Sequence, residues 1–310
     1  MNYKVSVIVP VHNTSEYLEE CISSIQQQSL REIEIILVEN ASTDNSLELC
    51  KKIAQSDERI KVIHLDKGDL STARNEGVKI ASAEYVGFID SDDTINIDMY
   101  KILYNTVSEN NLDLVTCNHV KKYKTRRDKF LYCENGKTNI VTPKEMTKLN
   151  LMEIIPQSAC TMLIRKSIVE KNPFPENKHF EDRASTFLFE AKSSACAYIN
   201  KSYYNYLQYR GGICLAKTFR RNYDFAEADS KRLKFIMESG IFSNEEQPVV
   251  AEKAAESLLR KINRLRKRIS TIEEKEKYEK IKENIKFIPH KTKLSIKARI
   301  ILFLIKKGIM

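Results

Sequence analysis

Four short segments of the chain concentrate side chains that bind charge or hold polar ligands. The most acidic is Phe88-Ile89-Asp90-Ser91-Asp92-Asp93. Residues two apart in an extended segment fall on the same side, so Asp90 and Asp92 are neighbours. Three carboxylates at one strand end make a hard-oxygen donor set suited to Mg²⁺ or Mn²⁺, ions that keep positions open for phosphate oxygens. The plainer alternative is a surface turn in which Ser91 or Asp93 helps to start the next helix. The other polar segments are Pro10-Val11-His12-Asn13, Glu39-Asn40-Ala41-Ser42-Thr43-Asp44 and Lys67-Gly68-Asp69-Leu70-Ser71-Thr72-Ala73-Arg74-Asn75.

Each of these segments follows an apolar run that reads as a strand: residues 5–10, 33–38, 60–65 and 85–89. The runs are rich in Val and Ile with little alternation, as expected when both faces of a sheet are covered. Helical patterns follow over about 15–28, 44–54, from 71, and over 97–107, and a fifth strand starts at 112. Strand–helix alternation at this spacing predicts βαβ units and a doubly wound sheet, which binds ligands beyond the carboxyl ends of its strands.

In this order the segments resemble family 2 glycosyltransferases of the GT-A fold. The family pattern is a strand ending in Pro-x-Tyr-Asn, then Val-Asp-Asp-Gly-Ser-Thr-Asp, Leu-Ser-x-Ala-Arg-Asn-x-Gly and Asp-x-Asp-Asp. The matching residues here are Ile8–Asn13, Val38–Asp44, Leu70–Gly77 and Asp90–Asp93. The likeness is strong over residues 3–120 and continues more weakly to about 215. It implies an α/β GT-A domain over 1–215, with nucleotide-sugar binding in 1–120 and the acceptor side in 121–215, then a basic helical region over 216–310. It implies inverting transfer of a sugar from a nucleotide sugar, UDP by preference, to a glycan or lipid-linked acceptor in cell-surface polysaccharide synthesis. Mn²⁺ or Mg²⁺ is the implied cofactor, held by Asp92 with Asp90 and Asp93. Pro10, His12, Glu39, Asn40, Arg74, Asp90 and Ser91 carry over to the donor side.

Two departures stand out. His12 replaces the usual tyrosine, and Asn40 replaces an aspartate that accepts the uracil N3–H. An amide oxygen still accepts that bond, without charge assistance. An inverting transfer needs a base for the acceptor hydroxyl. Lys178-His179-Phe180-Glu181-Asp182-Arg183 looks like the family's Glu-Asp motif, which assigns the base to Asp182 with Glu181 beside it. Adjacent like charges raise one carboxyl's pKa towards a useful range, whereas the bland reading is a solvated helix N-terminus. Arg210, after a tyrosine-rich run, is a candidate for the diphosphate.

After residue 120 the pattern loosens. Lys121–Lys129 reads as a basic loop or hairpin, Thr142-Pro-Lys-Glu145 and Ser243-Asn-Glu-Glu246 as capping boxes, and 163–164 and 197–199 as strands. Leu258, Ile262, Leu265, Ile269 and Ile272 recur at heptad spacing, which predicts packing on the body or a modest homodimer seam. The net charge of +9 resides in residues 251–310, where 18 Lys and Arg face 7 Glu. Lys291–Lys307 interleaves cations with Leu294, Ile296, Ile300, Phe303 and their neighbours, which suits either an anionic membrane surface or a helix packed on the body. Nucleic-acid binding is not expected, because the tail holds only Tyr278, Phe287 and Phe303 for stacking.

The 310 residues are 42% apolar and 8% aromatic, which excludes a disordered chain. The longest apolar run, Ile300–Ile305, is far short of the roughly 18 residues of a spanning helix. No secretory signal opens the chain, and the seven scattered cysteines form no C-x-x-C pair, so a reduced cytoplasmic protein is expected, peripheral at the membrane if the tail binds there. A competing class is a catalytically idle protein that keeps the fold and binds sugar nucleotides, and the intact Asp90, Asp92 and Asp182 favour the enzyme over it. A nucleotidyltransferase needs a glycine-rich phosphate loop after the first strand, and residues 10–13 are not one.

Overall fold

A computed structural model describes residues 2–208 and 218–310. The chain divides into two compact units: Met1–Met146, Ile155–Asn177 and Ser185–Arg210 form the first, and Thr147–Ile154, Lys178–Ala184 and Gly211–Met310 the second.

The first unit is built on a ten-stranded sheet. Its strands are β1 (Val5–Val11), β2 (Ile33–Asn40), β3 (Ile60–Leu65), β4 (Tyr85–Phe88), β5 (Thr94–Ile95), β6 (Leu114–Lys122), β7 (Lys129–Phe130), β8 (Thr138–Val141), β9 (Met162–Arg165) and β10 (Cys196–Leu207). They run in the order β3-β2-β1-β4-β9-β6-β10-β5, with β7 on β6 and β8 on β10. The pairs β3–β2, β2–β1, β1–β4 and β6–β10 are parallel, while β9 is antiparallel to both β4 and β6. Every residue of β1 and β2 is buried, which explains runs that are almost wholly apolar through their centres, Val7–Val11 and Ile35–Val38.

The helices α1 (Ser15–Gln26), α2 (Ser46–Ala54), α3 (Leu70–Ile80), α4 (Met99–Asn110), α5 (Pro143–Leu151), α6 (Lys166–Lys171) and α7 (Glu181–Lys192) intervene. The mixed α/β sheet and the loop-bearing carboxyl ends of β1, β2 and β4 agree with the expected GT-A plan. Strand order reverses at β1–β4, so the binding crevice lies outside the carboxyl ends of those strands. Close packing of α3 on β1 depends on Gly77, where a Cβ would come within 2.4 Å of Ile8 Cγ2.

Some elements differ from expectation. The tyrosine-rich run and residues 197–199 belong to one strand, β10, whose register shifts between Ile199 and Tyr204 hide the alternation. The basic segment 121–129 leads out of β6 into the short antiparallel strand β7.

The second unit contains α8 (Phe219–Glu238), α9 (Gln247–Val250), α10 (Glu252–Arg266), α11 (Ile272–Lys282) and α12 (Ile296–Lys306). Leu258, Ile262 and Leu265 are fully buried on α10, which packs against α8. The heptad ends there: Arg266 closes α10, Thr271 caps α11, and Ile272 is 80% exposed. The first three heptad residues are thus buried inside the helical unit. On α12, Ala298 and Ile301 are buried against Leu259 and Met310, leaving Ile296, Ile300 and Phe303 more than half exposed. Among the described residues, no helix is long and apolar enough to cross a membrane.

Candidate active site

The site is built from the loops that leave β1, β2, β3 and β4. The first two are knitted together. Asn13 N–H donates to Ser42 Oγ at 3.1 Å, and Asn13 Oδ1 accepts from Thr43 N–H at 2.7 Å and from its hydroxyl at 3.2 Å. That turns the Asn13 amide nitrogen to His12 Nε2 at 3.2 Å, while His12 Nδ1 lies 2.6 Å from the Asn40 carbonyl. A carbonyl only accepts, so the proton is assigned to Nδ1 and Nε2 receives the Asn13 N–H. Asn13 and Ala41 both adopt left-handed backbone, with φ of 52° and 51°. Strain of this kind collects where a loop's shape serves a function, and the cross-loop hydrogen bonds hold it.

Glu39 is fully buried beneath these loops. Its Oε1 accepts from Ser42 N–H at 2.7 Å and its Oε2 meets His64 Nδ1 at 2.5 Å. Burial pushes its carboxyl up, but the bonds from Ser42 and His64 outweigh burial and hold it below the usual carboxylate range. Both oxygens are thus engaged, and Glu39 shapes the β2 loop instead of presenting itself to a ligand. Asn40 next to it is 5% exposed, and its Oδ1 is buried with no hydrogen-bond partner. Gly68 keeps the space beside that oxygen clear: a Cβ there would stand 2.8 Å from Asn40 Oδ1.

The acidic turn after β4 is held from three sides. Thr14 donates its hydroxyl to buried Ser91 Oγ at 2.9 Å, which ties the turn to the β1 loop. Arg74, 1% exposed on α3, donates to Asp90 Oδ1 at 3.0 Å, and its guanidinium lies 5.8 and 5.3 Å from the ring centres of Phe88 and Phe174. It positions Asp90 and has little surface left for a donor, contrary to the direct contact its motif implies.

Asp93 also departs from expectation. It is 2% exposed and turned inward, its N–H bonded to the Asp90 carbonyl. Tyr204 Oη donates to its Oδ2 at 2.6 Å and Leu207 N–H to its Oδ1 at 2.7 Å. Burial, then repulsion from Asp90 and Asp92, raises its pKa well above the ordinary carboxylate value. With both oxygens occupied by β10, Asp93 does not join Asp90 and Asp92 as a third ligand. Among the described residues, no group of three His, Cys, Asp or Glu side chains comes together as a metal cluster. Half-buried Asp92 and Asp90 remain, a set that fits an ion taking one or two carboxylates and completing its shell with phosphate oxygens and water.

Glu181 and Asp182 open α7 within the helical unit. Phe180 before them holds a left-handed φ of 61°, rare for an aromatic residue. Neighbouring bonds fix this bend: Asp224 accepts from His179 N–H at 3.2 Å and meets its Nδ1 at 2.7 Å, and the Phe180 ring sits 4.5 Å from that of Phe225. His179 is thereby a structural contact. Arg210 lies outside the described residues. Sequence reasoning missed Tyr204, Thr14, Phe174 and Asp224. Only Tyr204 carried a signal, its place in the tyrosine-rich run.

A family model described as glycosyl transferase family 2 matches residues 6–172. Glycosyltransferase GlyG of Streptococcus pneumoniae is 31% identical over 257 residues, covering 78% of this chain and 83% of that protein. An uncharacterized glycosyltransferase of Bacillus subtilis, EpsJ, is 40% identical over 144 residues, 46% of this chain and 42% of its own. The crystal structure of S. aureus TarS 1-349 in complex with UDP-GlcNAc superposes with a TM-score of 0.74 at 22% identity, over 92% of this chain and 82% of that one. The chain belongs to glycosyl transferase family 2 and has the GT-A fold; it is a glycosyltransferase.

Proposed function

We propose that the enzyme transfers a sugar, with inversion, from a nucleoside-diphosphate sugar to a hydroxyl of a glycan or lipid-linked acceptor during cell-surface polysaccharide synthesis. The observation that carries the donor side is the buried, unpartnered Asn40 Oδ1 at the sheet's switch point. A buried acceptor without a partner is costly, and an N–H donor entering beside Gly68 relieves it. The uracil N3–H is such a donor, and the UDP-GlcNAc named for TarS is consistent with it. His12, exposed with its ring oriented by Asn13 and Asn40, offers a flat face at the same entrance.

Asp92 and Asp90 hold Mn²⁺ or Mg²⁺ in this reading. A divalent cation there offsets charge on the departing diphosphate. Arg74 keeps Asp90 aimed, and Asp93 fixes the turn that presents both. Asp182 takes the proton from the acceptor hydroxyl. Residues 291–307 rest on an anionic membrane surface through Ile296, Ile300 and Phe303, flanked by Lys297, Arg299, Lys306 and Lys307.

Two variants test the donor site together. In Asn40→Leu, the lost acceptor weakens UDP binding about 10- to 100-fold, from roughly 1–3 kcal/mol, with the melting temperature unchanged or higher, as titration calorimetry and thermal melting read it. In Asp92→Asn, Mn²⁺-stimulated hydrolysis of the preferred UDP-sugar disappears. Wild-type affinity in the first variant would remove Asn40 from the base site, and undiminished Mn²⁺ stimulation in the second would remove the metal assignment.

A further inference from the structure

The helical unit holds cations that its carboxylates do not balance. Asp229, the fully buried acid of this unit, faces Arg183 with one oxygen: Arg183 Nε donates to Asp229 Oδ1 at 2.6 Å and Arg183 Nη2 reaches Glu153 at 2.9 Å, while Asp229 Oδ2 is buried with no hydrogen-bond partner. Lys261 on α10 is 7% exposed, and its ammonium sits 3.8 Å from the centre of the Phe225 ring. Among the described residues no carboxylate pairs with it. Arg221 on α8 lies 5.1 Å over Phe180, which abuts Phe225, and its Nε is buried with no hydrogen-bond partner. Arg264, one helical turn beyond Lys261, is exposed and unpaired among the described residues. Burial first, then repulsion from Arg221 and Arg264, brings the Lys261 amine down to about 8, although Asp229 pulls the other way.

Packing alone does not account for this arrangement. A methionine or leucine at position 261 fills the space against Phe225 without desolvating an ammonium under the repulsion of Arg221, Arg264 and Arg183. The residue types suit an anion instead: a lysine supplies a point charge, and the two arginines supply planar, multiply donating forks. Three cations match a doubly charged tetrahedral group better than a single carboxylate.

We propose that Lys261, Arg221 and Arg264, floored by Phe225 and Phe180, bind a phosphoryl group. The inference does not depend on the donor reading, because all five residues belong to the helical unit. The phosphoryl group comes from a phosphorylated acceptor or from free phosphate, two sources with one chemistry.

Thermal melting of the full chain tests this, with inorganic phosphate or glycerol 3-phosphate, each against chloride at equal ionic strength. Phosphate at about ten times its dissociation constant is expected to raise the wild-type Tm by about 2–4 °C. Lys261→Met loses that increment and melts no lower than wild type in chloride, while Arg221→Gln reduces it. If glycerol 3-phosphate loses more of its increment than phosphate does in Lys261→Met, a phosphorylated acceptor is the source. If the two losses are equal, free phosphate is. The proposal is overturned if phosphate does no more than chloride. It is also overturned if Lys261→Met melts several degrees lower in chloride while keeping the phosphate increment, the behaviour of a packing residue.

Discussion

Asp57, in the turn between α2 and β3, shows how single charges steady this scaffold. Arg59 donates to it twice, from Nε at 3.0 Å and Nη2 at 2.7 Å, and Gln26 of α1 adds a third bond. The Arg59 bonds outweigh burial and hold the carboxyl down to about 2. A depressed carboxyl contributes stability that is fully present above its unfolded pKa of about 3.9 and is lost as pH falls through the folded value. Asp57→Asn is therefore expected to lower stability by about 1–2 kcal/mol above pH 4, with the gap to wild type closing between pH 4 and 2. Urea unfolding across that range reads it; a gap that persists unchanged at pH 2 contradicts the assignment. The same scale limits what a sequence reveals. The order of His12, Asn40 and Asp90–Asp93 was legible because motif spacing is local. The inward turn of Asp93 depends on Tyr204, more than a hundred residues later, and the engagement of Glu39 on His64, a contact between two strands.

The fully buried strands β1, β2 and β4 could be read from their apolar runs because both sheet faces are covered, and the edge strand β3 from its Ile, Val and Leu despite its partial exposure. The two-residue strand β5 and the antiparallel insertion of β9 between β4 and β6 could not, since neither has enough residues for a period and both are fixed by non-local pairing. The segments Thr147–Ile154 and Lys178–Ala184 group with the helical unit for a similar reason: Arg232, fully buried on α8, donates to the carbonyls of Asn150 and Leu151, and Arg183 reaches Asp229. Gly77 belongs to this scale as well. In the motif it looks like a functional glycine, yet its lost Cβ serves the α3–β1 approach. Gly77→Ala is expected to cost about 1–3 kcal/mol by overpacking, and Ile8→Ala, which opens a cavity alone, should recover part of that loss when combined with it. Strict additivity in denaturant titrations of the four proteins would place the strain elsewhere.

For the whole molecule, residues 251–310 carry the positive charge, and Ile296, Ile300 and Phe303 on α12 are more than half exposed, the features on which the proposed membrane contact rests. Full-length protein is expected to float with vesicles containing phosphatidylglycerol and not with phosphatidylcholine alone, and Ile300→Asp with Phe303→Asp to abolish flotation without unfolding, since both positions face solvent. Equal flotation of wild type and the double variant would rule out α12 as the anchor. The partnership of Asp93 with Tyr204 and Leu207 has a bearing on biosynthesis. A ribosome has released the acidic turn long before it delivers β10, so for much of translation the nascent chain carries an unmatched interior carboxyl and a bare edge on β6. Maturation of the catalytic crevice is thus timed by the arrival of β10, and fragments ending before residue 196 should accumulate as sticky, immature species instead of small working enzymes.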